Sequence, residues 1–377
     1  MASDYQIRDL TSVEQLRSAA EGWNDLWLRS EATSPLLRAQ PLAQWIEQFT
    51  PTRALFAVVV SQGDRPLAAL PLTEKRVGRI VKAAGMTANA WSPCGDLLLD
   101  SQCDAGGVLT ALVNHLGNLN WPLLWLDAIP VAMNRWRQFI AACGSAGLSV
   151  DCHEKCQVGR IPISGSWEDY QKSWSKNHRK KIRKNIERLQ QAGRLDFERH
   201  TDLAAADIEL LLHEGFEVEH NSWKGEQGSS VLASPGMFGY YLEQARQLAE
   251  AGHLELQFLR LDDRPIAFEY GLCAKGVYHS FNVGYDAEFA QYSPGQVLMH
   301  EQLRDSYASG DVTDVDCMGP ASDAVSRWKP KHYPLARLVV APSRLLSRTL
   351  MTLYKYGWRR LRNRGQQGAM DAAPLSA

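Results

Sequence analysis

The chain contains a faint repeat of itself, and this repeat limits the folds that the chain can adopt. Ala54–Leu72 reads ALFAVVVSQGDRPLAALPL, and Leu254–Leu272 reads LELQFLRLDDRPIAFEYGL. Each copy has an apolar strand, a polar turn ending in Asp-Arg-Pro and a second apolar strand. A helix and then a strand with an aspartate, Asp127 or Asp316, follow each copy in the same order. This order predicts two related α/β units in tandem, each with a mixed sheet and antiparallel hairpins.

The length and composition agree with two globular units. A chain of 377 residues is long for one domain. Hydrophobic residues make up 45% of the chain and charged residues 22%, which is typical of globular proteins. We predict a first unit over 1–153, a second over 154–342, and a basic amphipathic helix with a disordered tail over 343–377.

Several classes of protein are excluded by what the sequence lacks. It has no run of eighteen apolar residues and no signal-peptide pattern at its start, which predicts a cytoplasmic protein. Its seven cysteines include no CxxC pair and no zinc-ligand spacing, so we expect reduced thiols and no metal. A net charge of −1 argues against a dedicated DNA-binding protein.

One segment has the chemistry of an anion site. From Asp263 to Glu301 the chain reads as strand, tight turn, strand, short loop and an abrupt helix start at Ser293-Pro294-Gly295. Serine is a good N-cap, proline suits the first helical position, and glycine lets a ligand approach the backbone. The free N–H groups of such a helix start favour a phosphate or a pyrophosphate. A well-capped helix without any ligand has the same pattern.

These residues resemble a known family. The motif Gly284–Gly295, GYDAEFAQYSPG, follows a basic helix, NHRKKIRKNIER, over Asn177–Arg188. Together they resemble GNAT-type acyltransferases, specifically the CelD/BcsL-like branch linked to cellulose and exopolysaccharide biosynthesis. That branch is similar to the Fem-type aminoacyl transferases, which also carry tandem GNAT-like domains. The resemblance covers about 155–340, and it reaches the first unit only through the internal repeat.

The resemblance implies how a donor would be bound. Acetyl-CoA would lay its pantetheine arm between splayed strands, with its pyrophosphate at the start of the helix over 294–309. The residues implied in donor binding are Tyr292, Ser293, Pro294, Gly295 and Gln296.

Acyl transfer also needs a base and a proton donor. Glu269 lies in an otherwise apolar strand, where burial would raise its pKa as a base requires, although an exposed strand glutamate has the same pattern. Its counterpart in the first copy is Leu70, so we expect only the second unit to be catalytic. Asp316 is a second candidate, but the matching Asp127 makes a structural aspartate an alternative. Tyr285 is a candidate donor of a proton to the thiolate.

Other residues are candidates for the acceptor side. The resemblance places Trp223 near the acceptor, whereas a core tryptophan is the alternative. His279 and Asp286 would line the same region, although a strand histidine is more often packed or exposed. Arg179 and Arg183 belong to the basic helix, whose charged face is either solvated or contacts CoA phosphates, an anionic glycan or tRNA.

The function we predict is an acyl-CoA-dependent acyltransferase, with acetyl-CoA as donor and an amine or hydroxyl of a sugar or polysaccharide-related acceptor. One alternative is a Fem-like transferase that uses aminoacyl-tRNA. Another is a non-catalytic GNAT-like scaffold or binding subunit. The basic amphipathic segment 343–364 predicts contact with a protein partner or with the inner membrane surface.

Overall fold

The computed structural model describes residues 5–50, 55–77 and 80–357. The chain forms two compact units, and each consists of more than one segment. The first unit contains Met1–Ala32, Trp45–Lys155 and Leu335–Ala377, and the second contains Thr33–Gln44 and Cys156–Pro334. Unlike the continuous ranges predicted from the sequence, these units are discontinuous: Thr33–Gln44 is grouped with the second unit and Leu335–Ala377 with the first.

The first unit is a mixed sheet covered by helices. Its strands are β1 (Gln6–Leu10), β2 (Leu55–Gln62), β3 (Arg65–Val77), β4 (Val81–Met86), β5 (Leu98–Leu99), β6 (Leu124–Ile129) and β13 (Lys331–Ala341). Its helices are α1 (Val13–Ser18), α2 (Ala20–Arg29), α4 (Ala105–Asn118) and α5 (Asn134–Ser145), and α3 (Ala39–Phe49) crosses the unit boundary. The strand order is β1-β2-β3-β4-β6-β13, and β4 and β6 are parallel while the other neighbours are antiparallel.

The second unit repeats this plan. Its strands are β7 (Ser149–Pro162), β8 (Leu195–His200), β9 (Leu254–Leu261), β10 (Arg264–Ala274), β11 (Val277–Tyr285) and β12 (Asp314–Pro320). Its helices are α6 (Trp167–Ser173), α7 (Lys176–Ala192), α8 (Ala205–His220), α9 (Trp223–Glu226), α10 (Met237–Glu250), α11 (Pro294–Ser309) and α12 (Asp323–Ser326), with a 3-10 helix over Ala287–Tyr292. The strand order is β7-β12-β11-β10-β9-β8, and only β11 and β12 are parallel among the pairs described.

The two Asp-Arg-Pro copies occupy matching hairpins. The first joins β2 to β3 through Gly63, and the second joins β9 to β10 through Asp262 and Asp263; all three residues have positive φ. In each unit a third antiparallel strand, a helix and a strand parallel to the third strand follow. The predicted mixed α/β fold is therefore confirmed, and the repeat that the sequence suggested is a repeat of structure.

The helical spacing of Trp167, Tyr170 and Trp174 predicts one long helix from Ser166 to about Ala192, but the structure has two helices here. α6 ends at Ser173 and α7 starts at Lys176, with Ser175 accepting a hydrogen bond from the His178 amide at 3.2 Å. The guanidinium of Arg179 donates to the backbone oxygens of Gln171, Lys172 and Trp174 at 3.2, 2.7 and 3.0 Å. Arg179 therefore satisfies carbonyl groups at the end of α6, which an unbroken helix would have paired within itself.

The first unit has a closed apolar core at the positions that correspond to the candidate site of the second. Leu70, the counterpart of Glu269, is fully buried among apolar side chains. α4, the counterpart of α11, has Asp104 as its N-cap, which accepts from the Gly107 amide at 3.2 Å and from the Tyr5 hydroxyl at 3.2 Å. A carboxylate thus already lies at this helix N-terminus and repels a second anion.

Residues 345–357 form a helix on the first unit. Met351 is buried, and Leu350 and Tyr354 pack against the apolar cluster around Trp125 and Val339. The opposite side exposes large apolar side chains, namely Leu345, Leu346, Leu353 and Tyr356. The predicted surface helix is thus partly docked, and the rest of the basic segment, 358–364, lies outside the described residues. None of the described helices combines the length and apolarity needed to cross a membrane.

Candidate functional site

The second unit contains a cavity of about 520 Å³ beside the N-terminus of α11. It exists because β11 and β12 separate. They pair in parallel only from Val277↔Asp314 to His279↔Asp316, and the pairing of β12 with β7 is irregular after Asp316. The residues that line the cavity are Ser222, Trp223, Glu269, Ser280, Phe281, Val283, Gly284, Tyr285, Ala290, Ser293, Gly295, Gln296, Met299, Gln302, Val315, Cys317, Gly319, Ala324 and Val325.

Glu269 is the buried carboxyl group of this cavity. Its strand neighbours Phe268 and Tyr270 pack against Phe216 of α8, so the alternation of a strand directs Glu269 to the opposite face. The side chain is 4% exposed, and its Oε1 makes no hydrogen bond. Burial raises the pKa of Glu269 to about 7, against the opposing effect of a hydrogen bond with Ser280. This carboxyl group therefore changes charge near neutral pH, as a general base requires.

The start of α11 differs in detail from the predicted cap. Ser293 is the N-cap in a left-handed conformation, but its side chain makes no capping hydrogen bond. Pro294 has no N–H, and the amides of Gln296 and Val297 lie 2.9 and 3.3 Å from the Ser293 oxygen. The Gly295 amide is the remaining donor of this first turn, and it has no acceptor among the described residues. A Cβ at Gly295 would meet only the Tyr285 ring at 3.7 Å, so the fold does not require glycine here.

Gln296 is fixed by the aromatic cluster behind α11. Its Oε1 accepts a hydrogen bond from the Trp328 indole at 3.2 Å, and the Trp328 oxygen accepts one from the Tyr170 hydroxyl at 2.6 Å. Trp328 is fully buried and packs edge-on against Trp174 and His178. The inward packing of the aromatic residues of α6 is therefore part of the support of the cavity wall.

The opposite wall of the cavity is built around α9. Trp223 lines the cavity and is 50% exposed, which rules out the alternative of a core tryptophan. The next residue, Lys224, donates from Nζ to Glu219 at 3.0 Å, to Asn282 at 2.6 Å and to the Val283 oxygen at 3.0 Å. Because Glu219 is buried and paired, this network fixes α9, and with it Trp223, against β11.

Two of the predicted residues lie on the wrong faces of their strands. His279 is buried outside the cavity, whereas its neighbour Ser280 lines it; burial lowers the pKa of His279 and keeps it neutral. Asp316 also lies outside the cavity lining, whereas Val315 and Cys317 line it. Both oxygens of Asp316 are engaged, with the Met318 amide at 2.8 Å and the Tyr333 hydroxyl at 2.8 Å. These contacts favour a structural Asp316.

Other predicted binding residues also have structural contacts. Asp286 caps the 3-10 helix, accepting from the Glu288 amide at 3.0 Å, and pairs with Arg264 at 2.6 Å. Arg179 caps α6, as described above. Arg183 is exposed, with Glu187 at 3.5 Å, and lines a separate pocket of about 590 Å³. Tyr292 lies under the Arg188 guanidinium rather than in the cavity lining.

Sequence reasoning missed four polar residues of the cavity, Ser222, Ser280, Gln302 and Cys317. Ser280 and Cys317 directly follow His279 and Asp316. The sequence therefore indicated the right part of each strand, but the residue chosen lies on the face away from the cavity. Burial raises the pKa of the Cys317 thiol to about 12, so the thiol is neutral and a weak nucleophile at neutral pH. No group of three or more His, Cys, Asp or Glu residues suited to a metal ion occurs within the described ranges.

Comparison with known proteins defines the class of this unit. Residues 176–329 match the family model described as acetyltransferase (GNAT) domain. Over this range the second unit is similar to GNAT-type acetyltransferase domains, and the cavity and α11 lie inside the matched range. The sequence matches none of the curated proteins with which it was compared.

Solved structures share the fold over most of the chain. The crystal structure of FemX superposes with a TM-score of 0.58 at 11% identity, covering 88% of this chain and 96% of that chain. The C-terminal domain described as that of a lysylphosphatidylglycerol synthetase from Agrobacterium fabrum has a TM-score of 0.53 at 13% identity, covering 89% and 95%. L-PGS from Bacillus licheniformis has a TM-score of 0.52 at 13% identity, covering 89% and 96%. At these identities the likeness concerns the fold alone.

Proposed function

We propose that the chain is an acyl-CoA-dependent acyltransferase that uses the cavity of its second unit, with acetyl-CoA as the donor. The observation that carries this proposal is Glu269, a buried carboxyl group with a pKa of about 7 in the cavity that extends to the start of α11. The match to the acetyltransferase domain model supports the same reaction class.

The residues present fit a CoA thioester. The gap between β11 and β12 offers an apolar channel for the pantetheine arm, and the Gly295 amide is a free donor for a phosphate oxygen. Acyl-CoA supplies an acyl group that is activated by its bond to sulfur. Gln296, positioned by Trp328, has its amide nitrogen at the same end of the cavity.

The catalytic step needs proton transfer at two places. Glu269 accepts the proton of the attacking amine or hydroxyl, so that a bond from this atom to the acyl carbon can form as the carbon–sulfur bond breaks. The hydroxyl of Tyr285 lines the same cavity and is our candidate to donate a proton to the leaving thiolate. The neutral thiol of Cys317 makes a covalent acyl-enzyme a poor alternative.

For the acceptor we propose a sugar or polysaccharide-related amine or hydroxyl, in keeping with the resemblance to the CelD/BcsL-like branch and a cytoplasmic location. Trp223 supports this choice. Its half-exposed ring at the cavity wall offers a flat apolar surface to the C–H face of a sugar ring, and Lys224 and Glu219 fix its position.

The test is release of free CoA thiol from acetyl-CoA, measured with glucosamine and cello-oligosaccharides as acceptors. We expect the rate to rise with pH through about 7 and Glu269→Gln to reduce it by roughly 10²-fold or more. Glu243→Gln, at an exposed glutamate of α10, is the matched control and should retain full activity. Full activity of Glu269→Gln would remove this residue from the mechanism.

The same assay separates the alternatives. Transfer from aminoacyl-tRNA in place of acetyl-CoA would support a Fem-like enzyme. Absence of transfer from either donor, with every acceptor, would support a non-catalytic binding subunit.

A further inference from the structure

One side of α7 faces the start of α11 and is rich in donors. His178, Lys181, Asn185 and Arg188 recur at helical spacing, and Lys184 adjoins them on the same side. We call these five residues the α7 stripe. Lys176 and Arg183 lie on a different side of the helix, where they line the separate pocket.

The α7 stripe is attached at both ends to the segment that starts α11. At one end, Arg188 donates to the Gln291 oxygen at 3.2 Å and lies 4.7 Å from the centre of the Tyr292 ring. At the other end, the His178 ring lies 4.6 Å from that of Trp328, which donates to Gln296. The stripe therefore runs alongside residues 291–296, next to the free Gly295 amide.

The charges near this segment are not neutralised. Lys181, Lys184 and Arg327 are exposed, and no carboxylate in the described parts of the chain lies within ion-pair distance of them. Within the described residues, the Arg188 guanidinium has no carboxylate partner and contacts the neutral Gln291 and Tyr292. Burial and then the positive charges of Arg327, His300 and Lys181 lower the pKa of His178 to about 4, which indicates that Arg327 and Lys181 lie close to it.

Two buried polar atoms of the stripe have no partner. Asn185 and His178 are each 5% exposed, and neither Asn185 Nδ2 nor His178 Nε2 makes a hydrogen bond within the described residues. A buried polar group without a partner is costly and is uncommon unless a ligand or water satisfies it. Both atoms lie on the side of α7 that faces the α11 segment, among the cations that have no carboxylate partner.

The backbone at the α11 start cannot bind three phosphate groups by itself. Its first turn offers the Gly295 amide, because Pro294 has no N–H and the next two amides already contact the Ser293 oxygen. A CoA molecule whose diphosphate lies there carries one further charged group, the 3′-phosphate of its adenosine ribose. Such a phosphate needs several cationic or N–H donors close to the diphosphate.

We propose that the α7 stripe, together with Arg327, is the subsite for the ribose 3′-phosphate of CoA. This inference rests on the proposed function. It assigns Lys181, Lys184 and Arg327, which are all exposed, as the direct phosphate ligands. Arg188 orders Tyr292 and Gln291 at the entrance to the diphosphate site.

The experiment compares CoA with dephospho-CoA, which lacks only the 3′-phosphate, by calorimetric titration of the full chain. We expect the wild type to bind CoA about tenfold or more tightly than dephospho-CoA. In the double variant Lys181→Gln/Lys184→Gln, this preference should fall to about twofold or less while dephospho-CoA affinity changes little. Lys176→Gln, at an exposed lysine on the side of α7 that lines the separate pocket, is the control and should keep the wild-type preference.

The outcomes distinguish this inference from the proposed function. Equal binding of CoA and dephospho-CoA by the wild type, or an unchanged preference in the double variant, would overturn the 3′-phosphate subsite and leave the acyltransferase proposal standing. A preference lost equally in Lys176→Gln would indicate general electrostatic attraction and would also overturn it. If the wild type binds neither ligand, both proposals fail.

Discussion

Glu269 lowers the stability of the fold, and it is also the residue that we propose as the general base. A carboxylate that loses its hydration in an apolar wall binds its proton more tightly than in water. Glu219, another buried carboxyl group of this unit, is paired with Lys224 at 3.0 Å. Within the described residues the Oε1 atom of Glu269 has no hydrogen-bond partner, so this site is not optimised for stability. Such a group is what a base at neutral pH requires.

This residue makes stability depend on pH in a definite direction. The pKa of Glu269 is raised in the folded state from 4.5 to about 7. Its contribution is therefore fully present below about pH 4.5 and is lost as pH rises through about 7, because the folded chain then releases a proton that it holds more tightly. Glu269→Gln lacks this loss. Between about pH 4 and about pH 9, we expect the variant to gain up to about 3 kcal/mol in the free energy of unfolding relative to the wild type.

Urea denaturation at a series of pH values measures this effect. Comparing each chain with itself across pH removes the constant effect of replacing a carboxyl by an amide. Parallel pH dependences for the two chains would contradict a raised pKa in Glu269.

At the scale of elements, the site depends on where two strands part and where a helix starts. β11 and β12 pair only at their beginnings, so their later residues form walls rather than a ladder. Two glycines of this region differ in purpose. A Cβ on Gly284 would lie 2.5 Å from the Glu219 Cα, so glycine lets α8 approach β11 closely. A Cβ on Gly295 would lie 3.7 Å from the Tyr285 ring, which is an ordinary van der Waals distance.

The pair Gly284→Ala and Gly295→Ala separates packing from ligand binding. We expect Gly284→Ala to lower the free energy of unfolding by about 1–3 kcal/mol, since backbone atoms must move. Gly295→Ala should leave stability within about 1 kcal/mol of the wild type and weaken CoA binding by about tenfold, since the methyl group keeps a phosphate away from the amide. Denaturation and calorimetry on both variants provide the measurement. Equal CoA affinity in Gly295→Ala and the wild type would show that this amide does not bind phosphate.

The sequence predicted the elements better than their faces. The repeat, the mixed sheets and the helix start at Pro294 all follow from local patterns that the chain displays directly. Glu269 could be singled out because it interrupts an apolar run. His279 and Asp316 were chosen by residue type, yet the cavity is lined by Ser280 and Cys317, since neighbours in a strand point to opposite faces. In strands that are buried on both faces, as here, hydrophobic alternation is too weak to reveal which face bears the site.

The break between α6 and α7 could not be read from local pattern either. Trp167, Tyr170 and Trp174 continue the helical period of the following residues, so the periodicity predicted one helix. Arg179 replaces the lost hydrogen bonds from five to eight residues further along the chain, a contact that depends on tertiary geometry. The same geometry removes Arg179 from the candidates for substrate binding.

At the scale of the whole molecule, the two units share a plan but differ at the positions that matter for chemistry. The first has Leu70 where the second has Glu269, and Asp104 at the helix start where the second has Ser293. The matching aspartates, Asp127 and Asp316, are both held by neighbouring side chains, which favours a structural role in each. The strand β13, which the sequence analysis assigned to the second unit, pairs with β6 of the first unit.

These differences predict how many donors the chain binds. A duplicated fold with two intact sites would bind two acyl-CoA molecules. In the first unit, Leu70 replaces the carboxyl group and the Asp104 carboxylate lies at the helix start, and both differences argue against a donor site there. We therefore propose that the first unit binds no donor and that the second binds one.

Calorimetric titration of the full chain with acetyl-CoA is the sharpest test of a single donor site at the start of α11. We expect one acetyl-CoA per chain, with a dissociation constant between about 1 μM and about 1 mM, and weaker binding in Gly295→Ala. Two results would contradict this expectation. One is the absence of measurable heat or competition at millimolar acetyl-CoA. The other is binding at two equivalent sites that Gly295→Ala leaves unchanged.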